Sequence, residues 1–289
     1  FADIDPDTFL LDINKVRALL ESHPKGFFKG IIPVDFAGNA VDLEAFKKLA
    51  IEFDCWIIED ACHAPGGFFR DSSRHQQHCG NGNFADLAIF SFHPVKHIAC
   101  GEGGMITTND ESLYNKLLTL RTHGITKDAA KLHENHGGWY YEMQELGFNY
   151  RLTDFQAALG ISQLSRANQG LDRRHAIAKK YDSAFKDQSF ILSKSRFVEG
   201  HAFHLYIIRV GNRKGLYDYL KEKNIFAQVH YIPVHLQPYY KSLGSKKGDF
   251  PLAESYYDEC LSLPMYPTLT DEEQNFVIQT IFDFHKKGI

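Results

Sequence analysis

Residues Gly30 to Asp60 read GIIPVDFAGNAVDLEAFKKLAIEFDCWIIED, two apolar runs separated by an amphipathic segment. The runs Gly30–Asp35 and Cys55–Asp60 are short and each contains a pair of isoleucines, which is typical of buried strands. Apolar residues recur at helical spacing through Asp42–Phe53, so this segment is predicted to be a helix. A strand, a helix and a strand within about thirty residues predict a parallel crossover unit of an α/β fold.

Further elements are predicted on both sides of this unit. Capping boxes begin predicted helices at Thr153 and Thr270. We place a domain boundary near Leu164, because the residues after the helical region that extends to Phe185 form a second group of strands and helices; the two domains are then residues 1–164 and 165–289. The other predicted helices are Leu10–Glu21, Leu113–Arg121 and Gly215–Lys223, and the other predicted strands are Leu87–Phe92, Gly103–Thr108, Phe203–Val210 and Phe226–His230.

Composition excludes several classes of protein. The chain has 289 residues, 44% hydrophobic and 24% charged, with a formal net charge of −4. These fractions argue against disorder and repetitive folds, and the charge gives no general field that would attract nucleic acid or anionic lipid. No run approaches the ~20 apolar residues that span a bilayer. Five cysteines without a CxxC pair favour reduced thiols, so we expect a cytoplasmic protein.

The stretch Ile89–Gly104 contains the first candidate for chemistry. A predicted strand ends at Ser91, a turn with a proline presents Lys96, and a glycine cluster follows. A second predicted strand ends at Asp60, and ligands of open α/β sheets bind at the carboxyl ends of strands. Asp60, Ser91 and Lys96 are therefore predicted to face one crevice. The alternatives are a solvated surface lysine, a turn-capping aspartate and, for His63, a packed structural histidine.

The motifs occur in an order that resembles the DegT/DnrJ/EryC1/StrS family of pyridoxal-phosphate-dependent sugar aminotransferases. Within that family they are most similar to the aminotransferases of pseudaminic-acid biosynthesis, which aminate C4 of a UDP-linked 4-keto-6-deoxy-N-acetylhexosamine with glutamate as donor. The resemblance is carried by Glu59–Ala64, Ser91–Lys96, Gly101–Gly104, Gly147–Arg151, Ala157–Gly160, Ala227–Tyr231 and Leu261–Pro264.

The resemblance implies a role for each matching residue. Lys96 is the catalytic lysine that bonds to the cofactor and carries a proton, and Asp60 lies against the pyridine nitrogen, where an anion favours the protonated ring. His63 contacts the cofactor ring or its 3-oxygen, and Ser91 binds the phosphate. Asn149 reaches the phosphate of a neighbouring subunit, which implies a homodimer with shared active sites. Residues implied on the substrate side are His230, Tyr231 and Arg151.

The resemblance also implies the fold, a fold-type I pyridoxal-phosphate-dependent transferase. It predicts a large domain with a mixed sheet, incomplete because the family's amino-terminal portion precedes Phe1, and a smaller C-terminal α/β domain. That portion carries part of the cofactor cradle, so we expect these residues alone to be inactive.

Two other functions stay open on the sequence. One is the related sugar 3-dehydratase, in which a histidine replaces the lysine, so that Lys96 counts against it. The other is a non-catalytic remnant that acts as an interaction module. A metal site is not expected, because His75–Cys79 fits no common zinc spacing and is interpreted as a polar surface loop. Neither nucleic acid nor a membrane is an expected partner.

Overall fold

A computed structural model describes residues 1–287, which form a mixed α/β fold. No helix within these residues is long and apolar enough to cross a membrane. The helices are α1 (Ile13–Glu21), α2 (Leu43–Phe53), α3 (Glu111–Arg121), α4 (Asp154–Leu164), α5 (Ala167–Ala184), α6 (Arg213–Glu222), α7 (Pro238–Ser242), α8 (Pro251–Glu259) and α9 (Asp271–Lys286). The strands are β1 (Gly30–Ile31), β2 (Trp56–Asp60), β3 (Phe68–Arg70), β4 (Gln76–His78), β5 (Leu87–Ser91), β6 (Gly104–Thr107), β7 (Ile125–Thr126), β8 (Glu142–Met143), β9 (Ser193–Lys194), β10 (Tyr206–Arg209) and β11 (Cys260–Leu263).

The largest sheet has four strands in the order β1-β2-β5-β6. β1, β2 and β5 are parallel, whereas β6 returns antiparallel to β5. The crossover from β1 through α2 to β2 confirms the unit predicted from Gly30–Asp60, although β1 is shorter than predicted and continues only as an isolated bridge between Val34 and Asp60. This sheet is therefore mixed, as predicted, and the carboxyl ends of β2 and β5 lie at the same edge.

Side-chain caps explain where the main helices begin. The Asp42 carboxylate accepts a hydrogen bond from Ala45 N–H at the start of α2. Thr153 and Thr270 form the predicted capping boxes of α4 and α9, with Gln156 and Glu273 as their partners. Each cap satisfies a backbone N–H that has no acceptor inside the helix. The capping patterns therefore located these two helix starts correctly.

Two local predictions are wrong. Phe226–His230 is not a strand, since only Gln228 forms a bridge, with Ser262. The segment predicted as a polar surface loop contains β4, which pairs with β3 in an antiparallel hairpin. In both cases, whether the segment forms a strand depends on whether another segment lies beside it, because the backbone N–H and C=O groups of a strand need hydrogen-bond partners.

Two main hydrophobic cores lie on opposite sides of Leu164. One packs α1 and α2 against the start of the four-stranded sheet, and the other packs α5, α6 and α9 against the sheet of β9, β10 and β11. Two smaller clusters join residues from both sides, including Ala37 with Leu205 and Ala64 with Ala202. The domain boundary near Leu164 stays a prediction.

Truncating a core isoleucine is expected to lower stability strongly. Ile281 in α9 is 0% exposed, whereas Ile51 in α2 is 69% exposed. Ile281→Ala removes buried methyl groups and leaves a cavity, so the free energy of unfolding should fall by about 2–5 kcal/mol. Ile51→Ala makes the same change within a helix but at the surface and should stay within about 0.5 kcal/mol. Equal destabilisation in urea-unfolding curves of the two variants would contradict the core assignment.

Candidate active site

The carboxyl edge of the four-stranded sheet carries the first two candidate residues. β2 ends at Asp60 and β5 ends at Ser91, and these strands are parallel neighbours with Asp60 opposite Ile89. The Asp60 carboxylate also accepts a hydrogen bond from Cys62 N–H (3.1 Å), which orients it in the turn after the strand. The strand register therefore brings both side chains to one edge, as the sequence predicted.

Lys96 lies in a loop that closes on itself between β5 and β6. Phe92 N–H donates to the Gly103 carbonyl (2.9 Å), and Cys100 N–H donates to the Phe92 carbonyl (2.8 Å). Gly103 has φ of 144°, a conformation that favours glycine. These contacts join the two ends of the loop and hold the turn that presents Lys96 beside the sheet edge.

Lys96 is half-buried and interacts electrostatically with the groups at the end of β2. Burial lowers the pKa of its ammonium, an effect that the charge of the nearby Asp60 opposes. A lowered pKa makes the unprotonated amine more available near neutral pH, which is the form needed for nucleophilic or base chemistry. Burial also raises the pKa of the Cys62 thiol to about 12, with a further contribution from Asp60, so Cys62 is not a thiolate nucleophile.

His63 is buried beside this group as a neutral imidazole. Burial, followed by the charge of Lys96, lowers the pKa of His63 to about 3. Its Nδ1 accepts a hydrogen bond from Ala37 N–H (3.3 Å), and a neutral imidazole that accepts at Nδ1 carries its proton on Nε2. The ring is nearly parallel to that of Tyr231, at an interplanar angle of 27° with centroids 6.4 Å apart. His63 therefore offers an N–H donor.

A cavity of about 660 Å³ opens beside Lys96 and is lined by His230 and Tyr231. His230 Nδ1 is hydrogen bonded to Ser262 Oγ (2.8 Å), and burial lowers the pKa of the imidazole. Tyr231 is 51% exposed, so its ring is accessible to a ligand. The structure thus brings Lys96, His230 and Tyr231 to one cavity, which is large enough for a small-molecule ligand.

Asn149 and Arg151 lie in an exposed segment, where Arg151 Nε donates to Asn149 Oδ1 (3.0 Å). An isolated bridge joins Asn149 to Thr122, and neither Asn149 nor Arg151 lines the cavity beside Lys96. Within this chain they are therefore not brought to the other candidate residues. Their predicted roles stay predictions.

Two residues lining the cavity are missing from the sequence-based set. His204 is buried with its ring centroid 4.3 Å from that of His63, and burial strongly lowers its pKa. Arg174 in α5 is 5% exposed, and its Nη1 donates to the carbonyl oxygens of Phe203, His204 and Met265 at 3.0–3.1 Å. Burial lowers the pKa of Arg174 to about 10. A histidine just before a buried strand was the available signal for His204, whereas Arg174 carried none.

The donor set suits pyridoxal phosphate better than a metal. An amine that loses its proton readily can bond to an aldehyde, a carboxylate can pair with a ring N–H, and a hydroxyl can bind phosphate. Lys96, Asp60 and Ser91 supply these three groups at one sheet edge. Pyridoxal-phosphate-dependent aminotransferases use such donors, and solved enzymes of this class share this fold.

The chain belongs to the DegT/DnrJ/EryC1/StrS aminotransferase family, whose model matches residues 1–282. It is a sugar aminotransferase of that family, and its cofactor is pyridoxal phosphate. The predicted family, fold class and cofactor are therefore confirmed.

Individual relatives support the same family over nearly the whole chain. An uncharacterised protein of Methanocaldococcus jannaschii, MJ1066, is 38% identical over 97% of this chain and 72% of its own length. The UDP-4-amino-4,6-dideoxy-N-acetyl-beta-L-altrosamine transaminase of Campylobacter jejuni serotype O:2 is 35% identical over 94% of this chain and 69% of its own. The structure of Helicobacter pylori PseC, an aminotransferase of pseudoaminic acid biosynthesis, superposes with a TM-score of 0.86 at 28% identity, covering 99% of this chain and 73% of that one.

Proposed function

We propose that this aminotransferase moves an amino group from glutamate to C4 of a UDP-linked 4-keto-6-deoxy-N-acetylhexosamine. The observation that supports it most is the position of Lys96, which interacts with Asp60 and opens into the cavity lined by His230 and Tyr231. The Lys96 amine lies between the residues that could hold the cofactor and a cavity large enough for a substrate. This arrangement suits an enzyme that transfers a group from one ligand to another.

We assign a separate role around the cofactor to each of four residues of this chain. Pyridoxal phosphate supplies an electron sink for removal of a proton next to an amine. Asp60 pairs with the protonated pyridine nitrogen, His63 donates from Nε2 and Ser91 binds the phosphate. Lys96 anchors the cofactor and moves the proton, a role that its lowered pKa supports.

The sugar side of the proposal rests on the cavity and on two relatives. The Campylobacter jejuni relative acts on a UDP-linked aminodideoxy sugar, and PseC acts in pseudoaminic acid biosynthesis. In this chain His230 is held by Ser262 and by Tyr256, whose hydroxyl donates to the His230 carbonyl (2.7 Å). We assign this wall, with Tyr231, to the sugar nucleotide.

We also propose a homodimer in which Asn149 reaches the cofactor phosphate of the partner's site, with Arg151 on the substrate side. Both residues lie away from Lys96 in their own chain and are exposed. The neighbouring helix α4 exposes large apolar side chains, with Phe155 91%, Ile161 72% and Leu164 61% exposed. Several large apolar side chains exposed on one helix are typical of a segment that is covered by a partner.

The function is tested by mass spectrometry of the product. Protein expressed from the complete gene, loaded with pyridoxal phosphate, is incubated with ¹⁵N-glutamate and a panel of UDP-linked sugars that differ in the keto position and the epimer. We expect ¹⁵N in the product of the 4-keto-6-deoxy-N-acetylhexosamine and little conversion of sugars with a keto group elsewhere.

Three outcomes would contradict parts of the proposal. A product without ¹⁵N when glutamate is labelled, together with a ¹⁵N-labelled product from ¹⁵N-alanine or ¹⁵N-glutamine, would exclude glutamate as the donor. Amination of a 3-keto sugar instead would move the reaction to another carbon. Loss of a hydroxyl without amine incorporation would indicate the dehydratase.

A further inference from the structure

A buried acidic cluster lies outside the proposed roles. It consists of Asp35, Glu59 and Cys79, which are 0%, 1% and 8% exposed, and one polar atom of each lies within 4.8 Å of the others. Glu59 is in β2 directly before Asp60, and because successive strand residues alternate in direction, its side chain is on the opposite face of the sheet. The cluster is therefore behind the cofactor-contacting edge.

One oxygen of each carboxyl group is held by a backbone amide. Val41 N–H donates to Asp35 Oδ1 (2.9 Å), and Gly80 N–H donates to Glu59 Oε2 (2.9 Å). The remaining oxygens, Asp35 Oδ2 and Glu59 Oε1, are shielded from solvent and have no hydrogen-bond partner within residues 1–287. One oxygen of each of these two carboxyl groups lies within 4.8 Å of an oxygen of the other.

Two neighbouring carboxyl groups that are both buried, such as those of Asp35 and Glu59, are more stable when they hold a proton than when both are charged. Two adjacent carboxylates repel each other, and burial without a cation penalises each charge. Burial, together with the charge of Glu59, raises the pKa of Asp35 well above its usual range, and burial raises the pKa of Glu59. A single shared proton removes the repulsion and lets each outer oxygen keep its backbone donor.

The pair also determines where one backbone amide lies. Asp35 begins a turn to Val41, and Asp35 N–H donates to the Asp60 carbonyl (3.0 Å). Ala37 within this turn has φ of 60°, a left-handed conformation that costs energy for a residue other than glycine. The Ala37 N–H is the group that donates to His63 Nδ1. Asp35 therefore anchors both ends of the turn that carries this donor.

We propose that Asp35 and Glu59 share one proton, and that this pair is a positioning unit that holds the Ala37 amide against His63 and so keeps His63 in its Nε2–H tautomer. The inference goes beyond the proposed function and does not depend on the identity of the sugar. A donor on Nε2 is the form of His63 that binds an oxygen of the cofactor, so the pair acts on the site through His63.

A double-mutant cycle tests the shared proton. Asp35→Asn keeps the oxygen that faces Val41 N–H and places an amide N–H₂ toward Glu59, which imitates a protonated aspartate. Glu59→Gln does the same from the other side. In the double variant two N–H₂ groups face each other without an acceptor, so their effects should not add.

The cycle is measured on cofactor-loaded protein from the complete gene. Each single variant is expected to shift the melting temperature by less than about 3 °C, and the double variant to lose at least about 6 °C more than the sum. A double variant that fails to fold while both single variants fold gives the same conclusion. Additive effects would overturn the shared proton.

Two spectroscopic measurements test whether the pair of Asp35 and Glu59 positions His63 or only stabilises the folded protein. Infrared difference spectra at neutral pH should show a protonated-carboxyl band in the wild type that is lost in each single variant. In ¹⁵N spectra of labelled histidine, the His63 signals, assigned by their loss in His63→Gln, should show the Nε2–H tautomer in the wild type and in Asp35→Asn, and a tautomer mixture in Asp35→Ala.

These spectra also give the outcomes that would overturn the proposal. Absence of the carboxyl band, or an unchanged tautomer in Asp35→Ala, would contradict it. Stoichiometric zinc in the purified protein that is lost in Asp35→Asn would show a metal site instead. Neither readout requires turnover, so a failure of the proposed sugar reaction would leave this inference standing.

Discussion

Lys96→Ala is expected to abolish transamination, with kcat lower by at least about 10⁴-fold. Lys96 is the lysine of the loop between β5 and β6, it lies within electrostatic range of Asp60, and burial lowers the pKa of its ammonium. In the proposed function, alanine removes both the covalent anchor of the cofactor and the group that moves the proton. The absorbance of lysine-bonded cofactor near the visible edge should disappear together with activity.

Two control variants test whether the effect of Lys96→Ala arises from the loss of the amine. One keeps the positive charge at position 96, and the other removes an exposed lysine elsewhere. Lys96→Arg keeps a positive charge, but a guanidinium stays protonated, so it should be as inactive as Lys96→Ala. Lys48→Ala changes an exposed lysine that pairs with Glu44 in α2 and should retain activity. Activity in Lys96→Arg would show that only the charge matters, and a persistent absorbance band in Lys96→Ala would refute the lysine assignment.

Asp60→Asn is expected to lower kcat by about 10²–10³-fold, the cost of removing one preorganised electrostatic partner. The substitution is nearly isosteric, and the asparagine oxygen can still accept the hydrogen bond from Cys62 N–H that Asp60 Oδ1 accepts (3.1 Å). What it removes is the negative charge that favours the protonated pyridine ring. The KM for the sugar nucleotide should change little, because we propose that this ligand binds on the side of His230 and Tyr231.

Asp54→Asn provides the matched control at the end of α2, two residues before β2 begins. Asp54 is exposed and adopts a left-handed conformation (φ 58°, ψ 49°) at the end of α2, which asparagine also tolerates. Steady-state kinetics on both variants should show the loss only for Asp60→Asn. Equal kcat values for Asp60→Asn and the wild type would show that the Asp60 carboxylate does not serve the cofactor.

Much of the fold follows from local patterns in the chain. The crossover through α2 was predictable because apolar spacing distinguishes a helix from the strands on either side. The capping boxes at Thr153 and Thr270 marked helix starts because each depends on residues only three positions apart. Phe226–His230 has an equally apolar pattern but forms only the bridge from Gln228 to Ser262, since pairing depends on a distant segment.

The candidate site was predictable to a similar extent. Asp60 and Ser91 were located from their positions after buried strands, and Lys96 from the loop that follows Ser91. Arg174 and His204 were not part of the predicted site. His204 precedes a buried strand, but no local pattern indicates that α5 and the residues before β10 meet at the cavity. Their burial arises from packing between segments far apart in sequence.

The sequence by itself determined the crossover through α2, two helix starts, the family and the residue types that the chemistry needs, because these depend on short spacings along the chain. Tertiary structure alone decided which groups are neutral and which share a proton. His63 loses its charge by burial, and Asp35 meets Glu59 only where the turn after β1 crosses β2. The protonation state of a side chain depends on its burial and on the charged groups that folding brings close to it. Neither can be deduced from the residues next to it in the sequence.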